Sequence, residues 1–155
     1  MQSISLGDID INTHITDYIN EKKKIILVDD NEDILTIYKI FLTNKSSQYD
    51  YLTFSSPEKA IHYIRRHYSL LNSKISLIIS DLNMGQVNGI EFFKNFKKLG
   101  IQAPFIILSS YLTDSVQKEA IGEGIDECYL KEFDMEKTFS LFTSLFNKYR
   151  LLDQE

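Results

Sequence analysis

Short apolar runs of strand length alternate with segments of helical periodicity along this 155-residue chain. The five runs occupy residues 24–28, 49–54, 75–80, 105–109 and 128–130. Apolar residues at the spacing of a helix follow each run, most clearly at Met135, Phe139, Phe142 and Phe146. Strands that are apolar throughout are typical of a parallel sheet covered on both faces. With right-handed crossovers, the pattern predicts a doubly wound α/β domain of five parallel strands flanked by five helices.

Length and composition fit one globular domain. The chain is too short for two ordinary domains, and 43% hydrophobic with 25% charged residues is typical of a folded protein. We expect the domain to span 23–150, with an N-terminal extension at 1–22 and a C-terminal tail at 151–155. Since the chain ends just past the last predicted helix, we expect no attached output domain.

The net charge and the cysteine content limit the possible partners and the cellular compartment. A net charge of −5 argues against direct nucleic-acid binding, and the basic cluster at 22–24 is interpreted as a solvated strand entry. The single cysteine, Cys128, excludes an internal disulfide and fits a reducing compartment. No signal peptide and no membrane-spanning apolar run is present, so we expect a cytoplasmic protein without membrane contact.

Charged and hydroxyl side chains stand where four of the predicted strands end. Asp29 and Asp30 follow the first strand, Asp81 the third, Ser109 the fourth and Lys131 the fifth. Each alone has an ordinary explanation as a helix cap, a turn residue or a surface side chain. Ligands of doubly wound sheets bind beyond the carboxyl ends of the strands, so the coincidence of these positions predicts one shared site.

Three clustered carboxylates repel one another and call for a hard cation. Mg²⁺ prefers oxygen ligands and is commonly held by carboxylates together with phosphate oxygens. Lys131, on the same edge, suits the remaining oxygens of a transferred phosphoryl group. Glu32 and Asp33, by contrast, are interpreted as ordinary acids of the first helical turn. The residues therefore predict a magnesium site that handles phosphate.

Four stretches together resemble a known family. In chain order they are "IILVDDNED", "LIISDLNMGQVNG", "PFIILSSY" and "GIDECYLKEF", and they span most of residues 24–149. They resemble the receiver domain of two-component response regulators, whose fold is flavodoxin-like (CheY-like). The resemblance implies that Asp81 is the phosphoacceptor, Ser109 the switch hydroxyl and Lys131 a phosphoryl contact. It also implies Mg²⁺ ligation by Asp29, Asp30, Asp81 and the backbone carbonyl of Asn83.

The same resemblance implies a signalling phosphoacceptor in a phosphorelay rather than an enzyme, apart from self-catalysed phosphoryl transfer and autodephosphorylation. The donor would be a phosphohistidine on a sensor histidine kinase or a phosphotransfer protein. A downstream protein would dock on the face formed by the fourth predicted helix, the fifth strand and the fifth helix. Leu141 and Leu145 on that last helix leave two interpretations open, a homodimer contact or a wide core face.

The chain departs from the family pattern near the site. Glu132 follows Lys131 where the family usually has a cis proline, so we expect a trans bond and a different aim for Lys131. Cys128 occupies the position of the usual switch aromatic, while Tyr129 should face the other side of the sheet. Gly85 replaces a common proline and predicts a more mobile loop.

Two further departures concern spacing and phosphoryl lifetime. The interval between Asp30 and Asp81 is longer than usual, and we expect the excess in "TNKSSQ" and "HYSLLNSK". Tyr111 stands two positions after Ser109, where the family tunes the phosphoryl lifetime, and we hypothesise that its ring hinders attacking water.

Two other functions compete with a phosphorylatable receiver. A degenerate receiver would bind a partner without being phosphorylated, and the changes at Cys128 and Glu132 keep that alternative open. A haloacid-dehalogenase-like phosphatase would need a "DxD" nucleophile motif after the first strand. The sequence "DDNED" lacks that pattern and leaves no room for a substrate cap, which argues against such a phosphatase.

Overall fold

Five parallel strands form one sheet in the order β2-β1-β3-β4-β5. The computed structural model describes residues 22–152. The strands are β1 (Lys23–Val28), β2 (Tyr49–Phe54), β3 (Ile75–Asp81), β4 (Phe105–Ser109) and β5 (Glu127–Leu130). All four pairings between neighbouring strands are parallel. The doubly wound parallel α/β fold predicted from the sequence is confirmed.

The described part of the chain contains six helices rather than the predicted five. They are α1 (Glu32–Lys45), α2 (Pro57–Arg66), α3 (Tyr68–Leu71), α4 (Gly89–Lys97), α5 (Asp114–Glu123) and α6 (Met135–Lys148). The additional helix, α3, arises because the second predicted helix ends at Arg66 and the chain re-enters a single helical turn after His67. This turn lies in "HYSLLNSK", where the extra length was expected. Every helix among residues 22–152 is too short or too polar to cross a bilayer.

Apolar side chains from both faces of the sheet fill two separate cores. Ile26 and Val28 of β1 pack on one face, and Ile25 and Leu27 pack on the other. Strands of this kind are apolar throughout because helices cover both of their faces. The central strands therefore end in a dry environment, and a charged side chain placed directly after them is partly withdrawn from water.

The division into two cores also shows where four further side chains lie. Cys128 packs in one core and Tyr129 against the other, as predicted from their adjacent positions in a strand. Leu145 is 1% exposed, so it belongs to the core face of α6. Leu151, one residue beyond the predicted boundary at residue 150, is also buried in that second core, and the boundary itself stays a prediction.

Candidate functional site

Three carboxylates meet at the carboxyl end of the two central strands. Asp29 and Asp30 follow β1, and Asp81 is the last residue of β3, whose register with β1 pairs Val28 with Ser80. One oxygen from each carboxylate lies within 4.8 Å of the others. Asp29 and Asp81 are buried, whereas Asp30 is exposed. We call these three residues the acidic rim.

Backbone hydrogen bonds fix two of the rim carboxylates. The amide of Asn31 donates to Asp29 Oδ1 at 2.9 Å, and the amide of Leu82 donates to Asp81 Oδ1 at 2.8 Å. The side chain of Asn31 caps α1 by accepting from two amides of its first turn. Because Asn31 serves as the cap, the ordinary explanation of Asp30 as a helix cap does not hold.

Lys131 supplies the positive charge of the site. Its amide donates to the carbonyl of Ser109 at 2.7 Å, which extends the β4–β5 pairing and carries the residue to the rim. Its Nζ donates to Asp29 Oδ2 at 2.5 Å and lies 3.3 Å from Asp81 Oδ1. No cis peptide bond occurs among residues 22–152, so the bond to Glu132 is trans, as predicted. With that trans bond, Lys131 still reaches two of the three carboxylates.

One lysine does not balance three carboxylates, and the electrostatics of the site reflect this excess. Burial raises the pKa of Asp81, the charge of Lys131 opposes that rise, and the charge of Asp29 adds to it. Burial also raises the pKa of Tyr38 on α1, and the charges of Asp29 and Asp81 contribute to the same shift. Convergent oxygen donors with a negative excess match the ligand preference of Mg²⁺, so the residues present fit this ion.

Ser109 reaches the end of the neighbouring strand with its hydroxyl held locally. The side chain is fully buried, its Oγ donates to the carbonyl of Tyr111 at 2.7 Å, and it accepts from the amide of Tyr111 at 3.2 Å. Tyr111 itself is 73% exposed. The turn after β4 therefore couples the backbone of Tyr111 to the Ser109 hydroxyl. Asn83 is exposed in the loop after β3, and its role as a carbonyl ligand stays a prediction.

Two glycines shape the loop between Asp81 and α4. A Cβ atom on Gly89 would lie 2.5 Å from the carbonyl oxygen of Asp81, so only glycine permits this close approach. Gly85 has a φ of 74°, a conformation that proline cannot adopt. The replacement of the usual proline therefore goes with a different loop backbone. The sequence gives one indication of this role, because Gly89 stands at the start of α4, the helix that follows Asp81.

Comparison with known proteins identifies the family. The family model described as "Response regulator receiver domain" matches residues 25–142, which include the acidic rim and Lys131. The chain belongs to this family. The sequence-based identification of a receiver domain is confirmed. Receiver domains of two-component systems are generally phosphoacceptors rather than true enzymes.

Curated relatives agree with this assignment. The chain is 28% identical to the transcriptional regulatory protein GlrR of Escherichia coli K12 over 66% of its own length and 25% of the relative. It is 28% identical to the response regulator SaeR of Staphylococcus aureus USA300 over 70% of its length and 44% of the relative. The chain thus spans less than half of the curated relatives it matches.

A solved structure supports the fold. A chain of the CheX-CheY-BeF3-Mg²⁺ complex from Borrelia burgdorferi superposes with a TM-score of 0.65 at 20% identity. The match covers 80% of this receiver and 89% of that chain. At this level of identity the similarity establishes the CheY-like architecture, which agrees with the strand order described above.

Proposed function

We propose that this receiver accepts a phosphoryl group on Asp81 from a phosphohistidine of a sensor histidine kinase or phosphotransfer protein, and that the modification switches its protein–protein interactions. The observation that carries the proposal is the acidic rim with Lys131 bridging Asp29 and Asp81. An intact rim and an engaged lysine are what a phosphoacceptor needs and what a degenerate receiver has no reason to keep.

The two oxygens of Asp81 have different surroundings. Oδ1 accepts from the amide of Leu82 and lies near Lys131 Nζ. We therefore assign Oδ2 as the attacking oxygen. It forms a bond to phosphorus while the phosphorus–nitrogen bond of the phosphohistidine breaks, and the imidazole leaves with the bonding pair. The product is an acyl phosphate, and Lys131 offers its ammonium to the phosphoryl oxygens as the transfer proceeds.

Asp29, Asp30, Asp81 and the backbone carbonyl of Asn83 would hold Mg²⁺. When bound, the ion would supply positive charge to the rim carboxylates and to the phosphoryl oxygens. The protein prepares that position by hydrogen-bonding Asp29 to the amide of Asn31 and by leaving Asp30 exposed at the open side of the rim. Asp29 and Asp30 directly follow β1 and Asp81 ends the neighbouring β3, so the sheet would hold these ligands together before the ion binds.

The acyl phosphate would then act as a local electrostatic switch. Phosphoryl oxygens on Asp81 would compete with the backbone of Tyr111 for the Ser109 hydroxyl, and release of that hydroxyl would move the turn before α5. The readout would be a protein that docks on the face formed by α5, β5 and α6. We place this function in the unit 23–150, flanked by 1–22 and 151–155, and in the cytoplasm.

Phosphorylation by a small-molecule donor tests the proposal directly. The protein is incubated with acetyl phosphate and Mg²⁺, and intact-mass and peptide spectra are recorded under conditions that keep acyl phosphates intact. We expect one labile phosphoryl group on Asp81, no adduct in Asp81→Asn, and a normal adduct in Asp33→Asn. Asp33 is a suitable control because it is an exposed acid near the rim that lies outside it.

The same experiment separates the competing assignments. An adduct that persists in Asp81→Asn would show that another residue is the acceptor. If the folded wild-type protein forms no adduct with acetyl phosphate and Mg²⁺, the degenerate receiver becomes the better explanation.

A further inference from the structure

A groove lined by lysines lies at the end of the sheet opposite the acidic rim. Its volume is about 510 Å³, and it opens where β1 and β2 begin. Lys22, Lys24 and Lys39 line it together with apolar and aromatic side chains such as Tyr63 and Leu70. We call this cavity the amino-end groove. A lining that combines three lysines with apolar and aromatic side chains suits an occupant that is both apolar and acidic.

The lysines of the groove outnumber its acids. Lys24 is 7% exposed and pairs with Asp50 Oδ2 at 2.6 Å, and Asp50 is the one acidic side chain among the lining residues. Lys22 donates to the carbonyl of Ser47, and Lys39 is exposed on α1. Neither of these two lysines forms an ion pair with a residue in the range 22–152. The groove therefore carries an excess of positive charge.

Residues 1–21 have the complementary charge and join the domain at the groove itself. They contain Asp8, Asp10, Asp17 and Glu21 but no lysine or arginine. The remaining 134 residues hold 17 basic and 18 acidic residues, so this short segment carries most of the net charge of −5. Its last residue is bonded to Lys22, one of the lining lysines.

The segment also has apolar side chains to bury. Ile9 and Ile11 alternate with acids, and Ile15 and Ile19 follow at a four-residue interval. Transfer of these isoleucine side chains from water to an apolar surface would be favourable. Attachment to Lys22 gives the segment a high effective concentration at the groove, so modest contacts suffice for occupancy.

We propose that residues 1–21 of the same chain dock in the amino-end groove, with their carboxylates facing Lys22 and Lys39 and their isoleucines against the apolar wall. The groove lies at the amino ends of the strands, whereas Asp81 lies at a carboxyl end. Docking therefore leaves the acidic rim accessible, and it is independent of phosphoryl transfer.

Amide hydrogen exchange of the full-length protein tests the docking. In wild type we expect the amides of residues 8–20 to exchange about tenfold or more slowly than in the Lys22→Glu/Lys39→Glu variant. The matched control is Lys98→Glu/Lys118→Glu, which makes the same charge change at exposed lysines outside the groove and should leave the protection intact. Adding Asp8→Lys/Asp10→Lys to the first variant should restore the protection by exchanging the charges.

A spin label locates the docked segment. A nitroxide on Asn12→Cys should broaden the amide signals of residues 49–52 and 70–71 and spare those of the acidic rim. Cys128 is buried, so labelling of wild-type protein provides the blank. Broadening in mixed samples of labelled and unlabelled chains would instead assign the groove to a second copy and overturn the proposal.

Two other outcomes would also overturn it. One is equal exchange of residues 8–20 in wild type and Lys22→Glu/Lys39→Glu. The other is binding of inorganic phosphate in the groove without any change in the exchange of residues 8–20, since a docked segment would have to be displaced. Phosphorylation of Asp81 is measured on the same variants, and we expect it to be unchanged. Failure of docking is therefore distinguishable from failure of the phosphoacceptor assignment.

Discussion

The two ends of the sheet each hold a lysine–aspartate pair, but they bury opposite members of it. At the acidic rim, the Lys131 side chain is 16% exposed and the Asp29 side chain only 4%. At the amino-end groove, the Lys24 side chain is 8% exposed and that of Asp50 is 47% exposed. The rim has a surplus of carboxylates and the groove has a surplus of lysines. Removal of the lysine therefore leaves a buried aspartate at the rim and a half-exposed aspartate at the groove.

A buried carboxylate without its cation cannot recover its hydration, whereas a half-exposed one can. We therefore expect the stability of the rim to depend on an added cation and that of the groove pair not to depend on one. The phosphoacceptor proposed above, Asp81, belongs to the drier of the two places. A carboxylate oxygen that is poorly hydrated and surrounded by like charge is stabilised most when a cation arrives.

Removal of each lysine should show this difference most strongly. We expect Lys131→Met to lower the free energy of unfolding by about 3 kcal/mol in the absence of Mg²⁺, because Asp29 and Asp81 stay buried without a neighbouring cation. Lys24→Met should cost about 1 kcal/mol or less, because Asp50 remains hydrated. Urea unfolding in EDTA measures both. Equal losses for the two variants would remove the distinction between the two pairs.

Mg²⁺ should stabilise the rim alone. At a free concentration 100 times the dissociation constant, we expect a gain of about 2.7 kcal/mol in wild type and in Lys39→Ala. The gain should disappear in Asp30→Ala and persist in Asp33→Ala, since only the first removes a rim carboxylate. Thermal unfolding at constant ionic strength measures it. A midpoint that ignores millimolar Mg²⁺ in wild type would argue against the metal site.

The pH dependence of stability should identify Asp81 as a carboxylate whose ionised form is disfavoured in the folded state. The pKa of Asp81 is raised in the folded state, so folding favours its protonated form. The stability that this preference contributes is fully present below the ordinary pKa of 3.8 and is lost as the pH rises through the raised pKa. Asp81→Asn should therefore unfold at nearly the wild-type midpoint in acid and be about 1 kcal/mol more stable at neutral pH without Mg²⁺. A difference that stays constant with pH would contradict this account.

The comparison of the two ends also shows what the sequence could and could not predict. Asp29, Asp81 and Lys131 were predictable as a site because strand ends of a parallel sheet must share one edge. The capping role of Asn31 and the close approach at Gly89 depend on loop geometry, which a pattern of residue types does not fix. The amino-end groove was missed because Lys22 and Lys24 are neighbours in the chain, whereas Lys39 comes to them only through the packing of α1. As a sequence cluster, 22–24 looked like solvated surface.

The smallest expected effect on stability concerns Tyr111, next to the rim. The residue is 73% exposed, so Tyr111→Ala should change the free energy of unfolding by no more than about 0.5 kcal/mol. The backbone of residue 111 still accepts from and donates to the Ser109 hydroxyl, so the turn after β4 should persist.

If the ring shields the phosphoryl group from water, Tyr111→Ala should nevertheless lose the phosphoryl group from Asp81 about threefold faster. This corresponds to a barrier lower by about 0.7 kcal/mol. Mass spectra recorded over time after removal of acetyl phosphate give the rate. An unchanged rate would show that the exposed ring of Tyr111 leaves the path of the attacking water open.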